Sequence, residues 1–190
     1  MLKRNLRYTY SALRKDFSGT SLLNASLHVT RRSLELPIWS LAYYHIFLPI
    51  VPKKEINTAF LLSILQGKGK KIVVPRVSGS NTLQNCLLSE DTKFKKSNWG
   101  IPEPTDCLEV SPGQIDVVFL PLLIFDVVGN RVGYGKGFYD IFLKQCRPDV
   151  VKVGLCLFDP VEVITDIHDG DIALDYCVTP KKSYSFSSAS

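Results

Sequence analysis

The chain has 190 residues and a formal net charge of +5, with 23 lysines and arginines against 18 aspartates and glutamates. A hydrophobic share of 45% and a charged share of 22% are ordinary for a soluble globular protein with a substantial core. No apolar run reaches the ~18 residues that a membrane-spanning helix needs, and the basic residues form scattered pairs without interleaved aromatic residues, so membrane and nucleic-acid partners are not expected.

The first third of the chain predicts three helices. Apolar residues recur every three or four positions across residues 2–17, which is typical of an amphipathic helix. A second helix is predicted over about residues 21–34. A third is predicted over residues 59–65, and Gly67 can end it.

Strands are predicted between and after these helices, and a fourth helix is predicted to begin at Gly137 or Phe138. The predicted strands cover residues 39–48, 71–75, 115–120, 151–158 and 172–178, with a further candidate at 83–88. Residues 97–104 are too rich in glycine and proline for regular structure. Strands that alternate with helices predict an α/β domain with a mostly parallel sheet, and in such sheets the ligand lies beyond the carboxyl ends of the strands.

One domain is predicted over residues 1–190, with residues 183–190 as a loosely ordered tail. Five widely spaced cysteines without a CxxC pair predict buried, reduced thiols in a cytosolic protein. The first 15 residues carry five basic side chains and no acidic one, a composition that also resembles a mitochondrial transit peptide.

Residues 114–146 contain the strongest functional signal. An apolar run leads into Gly133, Gly135 and Gly137 around Lys136, and Asp140 follows within the predicted fourth helix. Glycine amides and a lysine can surround a phosphate, while a carboxylate can hold a metal ion, so the segment predicts a phosphate-handling site. The spacing fits neither a Walker P-loop nor a dinucleotide-binding motif, and taken as spacing alone it also fits an ordinary turn.

The full string around these glycines resembles one family. Residues 119–126 (FLPLLIFD), 129–131 (GNR) and 133–140 (GYGKGFYD) closely resemble the signature of the 5-formyltetrahydrofolate cyclo-ligases, also called methenyltetrahydrofolate synthetases. Shorter segments in the same order extend the resemblance along most of the chain: Lys3 and Arg7, residues 55–58 (EINT), residues 99–104 (WGIPEP) and residues 171–175 (DIALD).

The resemblance implies a fold, a reaction and a setting. The fold is a three-layer α/β/α sandwich with a mostly parallel sheet, similar to ribose-phosphate isomerases and CoA-transferases. The reaction closes 5-formyltetrahydrofolate to 5,10-methenyltetrahydrofolate and converts ATP to ADP and phosphate with Mg²⁺, through phosphorylation of the formyl oxygen. The resemblance favours a cytoplasmic enzyme, and a monomer is expected. Removal of residues 1–7 as a transit peptide would take away Lys3 and Arg7, so their retention is favoured.

The resemblance also assigns roles to individual residues. The catalytic residues are Lys136 and Arg131. The expected ATP-binding residues are Lys3, Arg7, Arg131, Gly133, Tyr134, Gly135, Lys136, Gly137, Phe138 and Tyr139. The expected folate-binding residues are Ile50, Glu55, Trp99, Tyr134, Gly135, Lys136, Gly137 and Phe138. The expected metal ligands are Asp140 and Asp171, with Asp169 as an alternative to Asp171.

Several of these residues also have ordinary structural interpretations. Charges at Lys3 and Arg7 on one helical face are usually just solvated, and Glu55 fits a surface glutamate before a helix. Tyr134 stands where some family members carry arginine, and Phe138 where many carry tyrosine. Two other functions stay open at this point: a non-catalytic folate-binding relative and a nucleic-acid-binding protein.

Overall fold

The helices lie close to the positions that the hydrophobic periodicity predicts. The computed structural model describes residues 1–79, 81–97 and 100–186. Its α-helices are α1 (Lys3–Lys15), α2 (Gly19–Ser33), α3 (Ala59–Gly67) and α4 (Phe138–Leu143). The side chain of Ser18 caps α2 by accepting a hydrogen bond of 3.0 Å from the backbone N–H of Ser21. None of the helices in this part of the chain has the length and hydrophobicity that spanning a bilayer requires.

The centre of the molecule is a seven-stranded sheet with the order β11-β10-β9-β6-β1-β2-β3. Its strands are β1 (Tyr43–Ile46), β2 (Lys71–Ser78), β3 (Thr82–Leu87), β6 (Val117–Pro121), β9 (Val151–Leu155), β10 (Tyr176–Val178) and β11 (Ser183–Ser185). The five inner strands are parallel, and the edge strands β3 and β11 run antiparallel to their neighbours. Two short hairpins complete the structure: β4 (Phe94–Lys96) with β5 (Pro102–Pro104), and β7 (Ile124–Phe125) with β8 (Arg131–Val132).

Helices cover both faces of this sheet. Alternate strand residues point to opposite sides, so each face has apolar side chains that a helix can bury. On one face, Tyr44 and Phe119 share a core with residues of α2 and α3. On the other face, Val118 shares a core with Leu6 of α1 and Phe142 of α4. The predicted α/β class and the three-layer arrangement are therefore confirmed.

Three predicted elements need correction. Of residues 39–48, only Tyr43–Ile46 form a strand. Trp39 lies before the strand, where its indole N–H donates a hydrogen bond of 3.0 Å to the carbonyl of Ser33. The segment that was predicted to be irregular contains β5, which pairs with β4. The predicted loose tail contains β11, which pairs with β10, while residues 187–190 lie outside the described part of the chain.

The prediction of reduced thiols is wrong for two of the five cysteines. Cys86 of β3 is bonded to Cys107, whereas Cys146, Cys156 and Cys177 are free thiols. The segment that carries Cys107 runs beside β3, with a hydrogen bond of 2.9 Å from the N–H of Leu87 to the carbonyl of Leu108. The two cysteines are 21 residues apart, so nothing in their spacing indicated that this pairing of segments would bring them together.

Candidate active site

A cleft of about 250 Å³ lies beyond the carboxyl ends of β1, β2 and β6. Phe47 and Leu48 follow β1, Pro75 and Val77 belong to the end of β2, and Pro121 ends β6. The predicted site residues that line it are Lys3, Arg7, Ile50, Glu55, Arg131, Gly133, Tyr134, Gly135, Lys136, Gly137, Phe138, Tyr139, Asp140 and Asp171. The remaining predicted residue, Trp99, lies outside the described residues.

The first helix turns its basic face into this cleft. Lys3 is only 6% exposed, and its ammonium pairs with the carboxylate of Asp171. One turn later, Nε of Arg7 donates 3.0 Å to the carbonyl oxygen of Gly133. Lys3 is therefore held against the C-terminal part of the chain and Arg7 against the glycine segment. These side chains do not form an ordinary solvated face of the helix.

A buried carboxylate shapes the turn that delivers the glycine segment. Asp126 is fully buried between β7 and β8, and its Oδ1 accepts hydrogen bonds from the N–H groups of Val128 at 3.1 Å and Asn130 at 2.9 Å. Its Oδ2 accepts from the N–H of Ile164 at 3.2 Å. These bonds fix the hairpin so that Arg131 points into the cleft.

The glycine segment needs glycine at Gly135 for two reasons. Its φ is +85°, in the left-handed region that residues with a Cβ rarely adopt. A Cβ there would also lie 3.3 Å from Cζ and Nε of Arg7. Gly137, with φ of +73°, makes the turn into α4. The backbone of this segment thus passes directly under the guanidinium group of Arg7.

Two carboxylates flank Arg131 at the basic end of the cleft. Asp140 Oδ1 accepts a hydrogen bond of 2.6 Å from Arg131 Nη2 and one of 3.3 Å from the N–H of Ile172. Burial lowers the pKa of Arg131, while Asp140 and Asp171 act in the opposite direction. Burial alone would raise the pKa of Asp171, but hydrogen bonds from Lys3 and from the N–H of His168 outweigh it and lower that pKa. Both carboxylates are therefore held in a strongly cationic setting.

This pair can supply oxygen ligands to Mg²⁺. All hydrogen bonds to Asp140 within the described residues go to Oδ1, and all those to Asp171 go to Oδ2, which leaves one oxygen on each. In the described ranges no group of three or more His, Cys, Asp or Glu side chains is placed to hold a metal. Mg²⁺ usually takes one or two carboxylates and completes its shell with phosphate and water oxygens, so this donor set fits it. The alternative ligand Asp169 is exposed and does not line the cleft.

Arg131 also carries an unsatisfied donor. Its Nη1 is buried and has no hydrogen-bond partner among the described residues. A buried N–H that is left unpaired is costly, and a ligand oxygen can satisfy it. The position of Arg131, with Asp140 on one side, favours an anionic ligand on the other.

At the other end of the cleft, Glu55 is a buried acceptor. It is 4% exposed, and its Oε2 accepts 2.6 Å from the N–H of Ile50. Its Oε1 is buried and has no hydrogen-bond partner among the described residues. Burial raises the pKa of Glu55, and the Ile50 amide, the Tyr134 hydroxyl and nearby cations oppose that effect. Such a carboxylate suits a ligand with adjacent N–H donors.

The structure adds two cations that the sequence analysis missed. Arg14 of α1 donates 2.7 Å from Nη1 to the hydroxyl of Tyr134, and Nζ of Lys53 lies 3.9 Å from the centre of the Tyr134 ring. Arg14 follows Arg7 by seven residues, two turns of the same helical face, so its spacing was a usable signal. Lys53 ends a three-residue 3-10 helix (Val51–Lys53) shortly before Glu55 and gave no such signal.

Comparison with known proteins identifies relatives along nearly the whole chain. The model of the 5-formyltetrahydrofolate cyclo-ligase family matches residues 1–180. A Schizosaccharomyces pombe protein named probable 5-formyltetrahydrofolate cyclo-ligase is 29% identical over 174 residues, which are 83% of this chain and 84% of the relative. The Mus musculus 5-formyltetrahydrofolate cyclo-ligase is 31% identical over 153 residues, 76% of this chain and 74% of the relative.

Solved structures agree with these sequence matches. The 5,10-methenyltetrahydrofolate synthetase of Aquifex aeolicus superposes with a TM-score of 0.78 at 26% identity, covering 100% of this chain and 95% of that one. The structure of a Mycoplasma pneumoniae 5,10-methenyltetrahydrofolate synthetase has a TM-score of 0.75 at 21% identity, with coverage of 95% and 99%, and supports the fold.

Proposed function

The chain belongs to the 5-formyltetrahydrofolate cyclo-ligase family, and we propose that it closes 5-formyltetrahydrofolate to 5,10-methenyltetrahydrofolate while converting ATP to ADP and phosphate. The observation that carries this proposal is the polarity of a single cleft. It holds the unpaired carboxylate oxygen of Glu55 in one group of side chains, and Lys3, Arg7 and the unsatisfied guanidinium nitrogen of Arg131 in another. Those two groups suit the pterin and the triphosphate respectively.

The reaction begins with transfer of the γ-phosphoryl group of ATP to the formyl oxygen of the folate. The bond between the γ-phosphorus and the bridging oxygen of ATP breaks, and ADP leaves. The bridging nitrogen of the folate then attacks the activated formyl carbon and loses its proton. The carbon–oxygen bond breaks last, so phosphate leaves with the former formyl oxygen. No protein nucleophile is required, and catalysis depends on positioning and on charge neutralisation.

The basic end of the cleft supplies that neutralisation. We assign the triphosphate to Lys3 and Arg7 of α1, to Arg131, and to Lys136 with the backbone from Gly133 to Tyr139. We assign catalysis to Lys136 and Arg131, two cations that line the cleft and could neutralise the charge that develops during transfer. When bound, Mg²⁺ supplies further neutralisation of the phosphate oxygens. Asp140 and Asp171 would hold it through the carboxylate oxygens that their own hydrogen bonds leave available.

The other end of the cleft binds the pterin and places the formyl group. Glu55 would accept from the amino group and the neighbouring ring N–H of the pterin, a pairing that a ligand lacking either donor satisfies poorly. Ile50 lines the same end, and its N–H holds Oε2 of Glu55. Tyr134, Gly135, Lys136, Gly137 and Phe138 lie between the two ends and are assigned to both ligands. Trp99 stays a predicted folate contact, although it lies outside the described residues.

The same proposal includes the setting of the enzyme. We propose one domain over residues 1–190, a monomeric state and a cytoplasmic location. The family match over residues 1–180 supports the first point. Size-exclusion chromatography with light scattering would test the oligomeric state.

One assay tests the reaction directly. The protein is incubated with 5-formyltetrahydrofolate, ATP and Mg²⁺, and the methenyl chromophore is followed by its absorbance. We expect the absorbance to rise only when all three are present. Lys136→Ala is expected to reduce turnover at least ~100-fold, as for loss of a donor that stabilises transition-state charge, while Lys144→Ala, an exposed lysine at the end of α4, should leave it unchanged. Folded protein that gives no chromophore would overturn the proposed function.

A further inference from the structure

Arg14 is a buried cation near the carboxyl end of α1. It is 3% exposed, and it takes part in none of the ion pairs of the described residues. Two cations that line the cleft differ from it, since Lys3 pairs with Asp171 and Arg131 pairs with Asp140. A charge that is removed from water needs compensation close by, so the partner of Arg14 must be sought through its hydrogen bonds.

Those hydrogen bonds lead to the glycine segment. Arg14 Nη1 donates 2.7 Å to the hydroxyl oxygen of Tyr134, and Nη2 donates to the carbonyl of Leu122 at the end of the sheet. The bond to Leu122 fixes the guanidinium in one orientation. Because the Tyr134 oxygen accepts from Arg14, its own O–H is left to donate elsewhere.

Glu55 lies near this hydroxyl: both residues line the cleft, and Nζ of Lys53, two residues before Glu55, lies 3.9 Å from the centre of the Tyr134 ring. The Tyr134 hydroxyl and the charge of Arg14 both act on Glu55 in favour of its ionised form. Tyr134 in turn feels the Glu55 charge and the Arg14 charge in opposite directions. Arg14, Tyr134 and Glu55 thus form one chain of groups that runs from α1 through the glycine segment to the folate end of the cleft.

We propose that Arg14 is a positioning residue for the folate, which holds the Tyr134 hydroxyl beside Glu55 so that this carboxylate is correctly oriented for the pterin N–H donors. This inference rests on the proposed function and extends it to a residue that does not line the cleft. It also gives a role to the tyrosine at position 134. In this chain the tyrosine hydroxyl connects Glu55 with the guanidinium group that Arg14 of α1 supplies.

Other groups around Glu55 contribute to its charge state and must be kept constant. Lys53, from the short 3-10 helix after β1, favours the ionised form, as does the N–H of Ile50. Tyr139 of α4 also faces the Glu55 charge. Replacement of Arg14 leaves all three in place, so the effect of the substitution can be attributed to the connection between Arg14 and Glu55.

The test is the pH dependence of kcat/KM for 5-formyltetrahydrofolate at saturating ATP and Mg²⁺, which reports ionisations of the folate-free enzyme. Arg14→Met removes the cation, and Tyr134→Phe removes the hydroxyl but keeps the ring beneath Lys53. Loss of a nearby opposite charge raises a carboxyl pKa, so we expect the acid limb to move upward by about one pH unit in Arg14→Met, which is tenfold in kcat/KM below the limb. Tyr134→Phe should move it in the same direction, and Arg4→Met, an exposed arginine of the same helix, should not move it.

The outcomes separate this inference from the function on which it rests. A parent protein without turnover would overturn both. An active parent whose Arg14→Met variant loses activity equally at all pH values, or keeps the parent profile, would overturn the role of Arg14 alone. If Arg14→Met does not fold, Tyr134→Phe decides the question, because an unmoved acid limb in that variant contradicts the connection through Tyr134.

Discussion

Glu55 is a carboxyl group at a place where the protein interior disfavours its charge. Burial raises the pKa of its carboxyl, and the hydrogen bond from the N–H of Ile50 opposes this effect only in part. A carboxyl whose pKa is raised in the folded state stabilises the protein fully only below its ordinary pKa, and this stability is lost as the pH rises. We interpret Glu55 as a residue that is kept for binding at a cost in stability.

Glu55→Gln should therefore separate stability from function. The free energy of unfolding is expected to increase relative to the parent above about pH 4.5, the ordinary pKa of the group, by about 1.4 kcal/mol for each unit by which folding raises the pKa. Folate binding should weaken at least ~100-fold, since an amide presents a donor where an acceptor is needed.

Urea unfolding at pH 4 and pH 8, together with calorimetric titration of 5-formyltetrahydrofolate, would measure both effects. Glu35→Gln, at an exposed position after α2, is the matched control and should change neither. A Glu55→Gln variant that is less stable at pH 8 and still binds folate would contradict this interpretation.

Residue roles were predictable where the sequence carried a dense local pattern. The string from Gly133 to Asp140 indicated eight residues of the cleft lining, because its residues are consecutive and all face one site. Arg14 was missed since it reaches the site through Tyr134, and Lys53 since it meets the Tyr134 ring across the cleft that it lines; both contacts join segments that are distant in sequence. Local patterns do not report such contacts.

The glycine segment acts as an element whose shape depends on its contact with α1. Gly135→Ala would force a Cβ into a left-handed backbone and to 3.3 Å from the guanidinium of Arg7. We expect a loss of stability of roughly 1–2 kcal/mol from the backbone alone and a much larger relative loss of turnover, because Arg7 and the segment would move apart. Gly67→Ala, which has open space and an ordinary φ at the end of α3, is the control.

Thermal unfolding and the KM for ATP of the two variants would test this. An increased KM for ATP in Gly135→Ala, with a parent-like value in Gly67→Ala, is the expected result. Parent-like kinetics in Gly135→Ala would show that the close packing of Arg7 on this glycine is unimportant for ATP.

At the level of elements, helices were easier to predict than strands. The periodicity of α1 and α2 gave bounds close to the observed ones because one face of each helix is buried. The apolar run at residues 39–48 overstated β1, since burial without alternation does not distinguish a strand from a packed turn. The strand β11 was missed because its pairing with β10 is set by the backbone, and its Ser-Tyr-Ser sequence carries no apolar pattern.

The stability of the whole molecule depends on a buried histidine that must stay uncharged. His45 lies in β1 between the sheet and α4, with its ring 4.7 Å from that of Phe142, and neither ring nitrogen has a hydrogen-bond partner among the described residues. Burial lowers its pKa from 6.5 to about 3. A depressed pKa means that the unfolded chain takes up the proton first, so the stability is complete above pH 6.5 and is lost as the pH falls towards 3.

We therefore expect the free energy of unfolding to fall below pH 6.5 with a contribution from His45 of about 1.4 kcal/mol per pH unit. His45→Leu should remove this contribution and flatten the profile between pH 6 and pH 4, as measured by urea unfolding. His28→Leu, at an exposed position of α2, is the control and should keep the parent slope. An unchanged slope in His45→Leu would mean that His45 is not the group that titrates.

In the proposed reaction, one cleft joins ATP to the formyl oxygen of the folate. The most direct measurement uses 5-formyltetrahydrofolate that carries ¹⁸O in its formyl group, with ATP and Mg²⁺, followed by mass analysis of the phosphate released. We expect one ¹⁸O in each phosphate for each methenyl group formed. Formation of the methenyl product with unlabelled phosphate, or release of phosphate without that product, would contradict it.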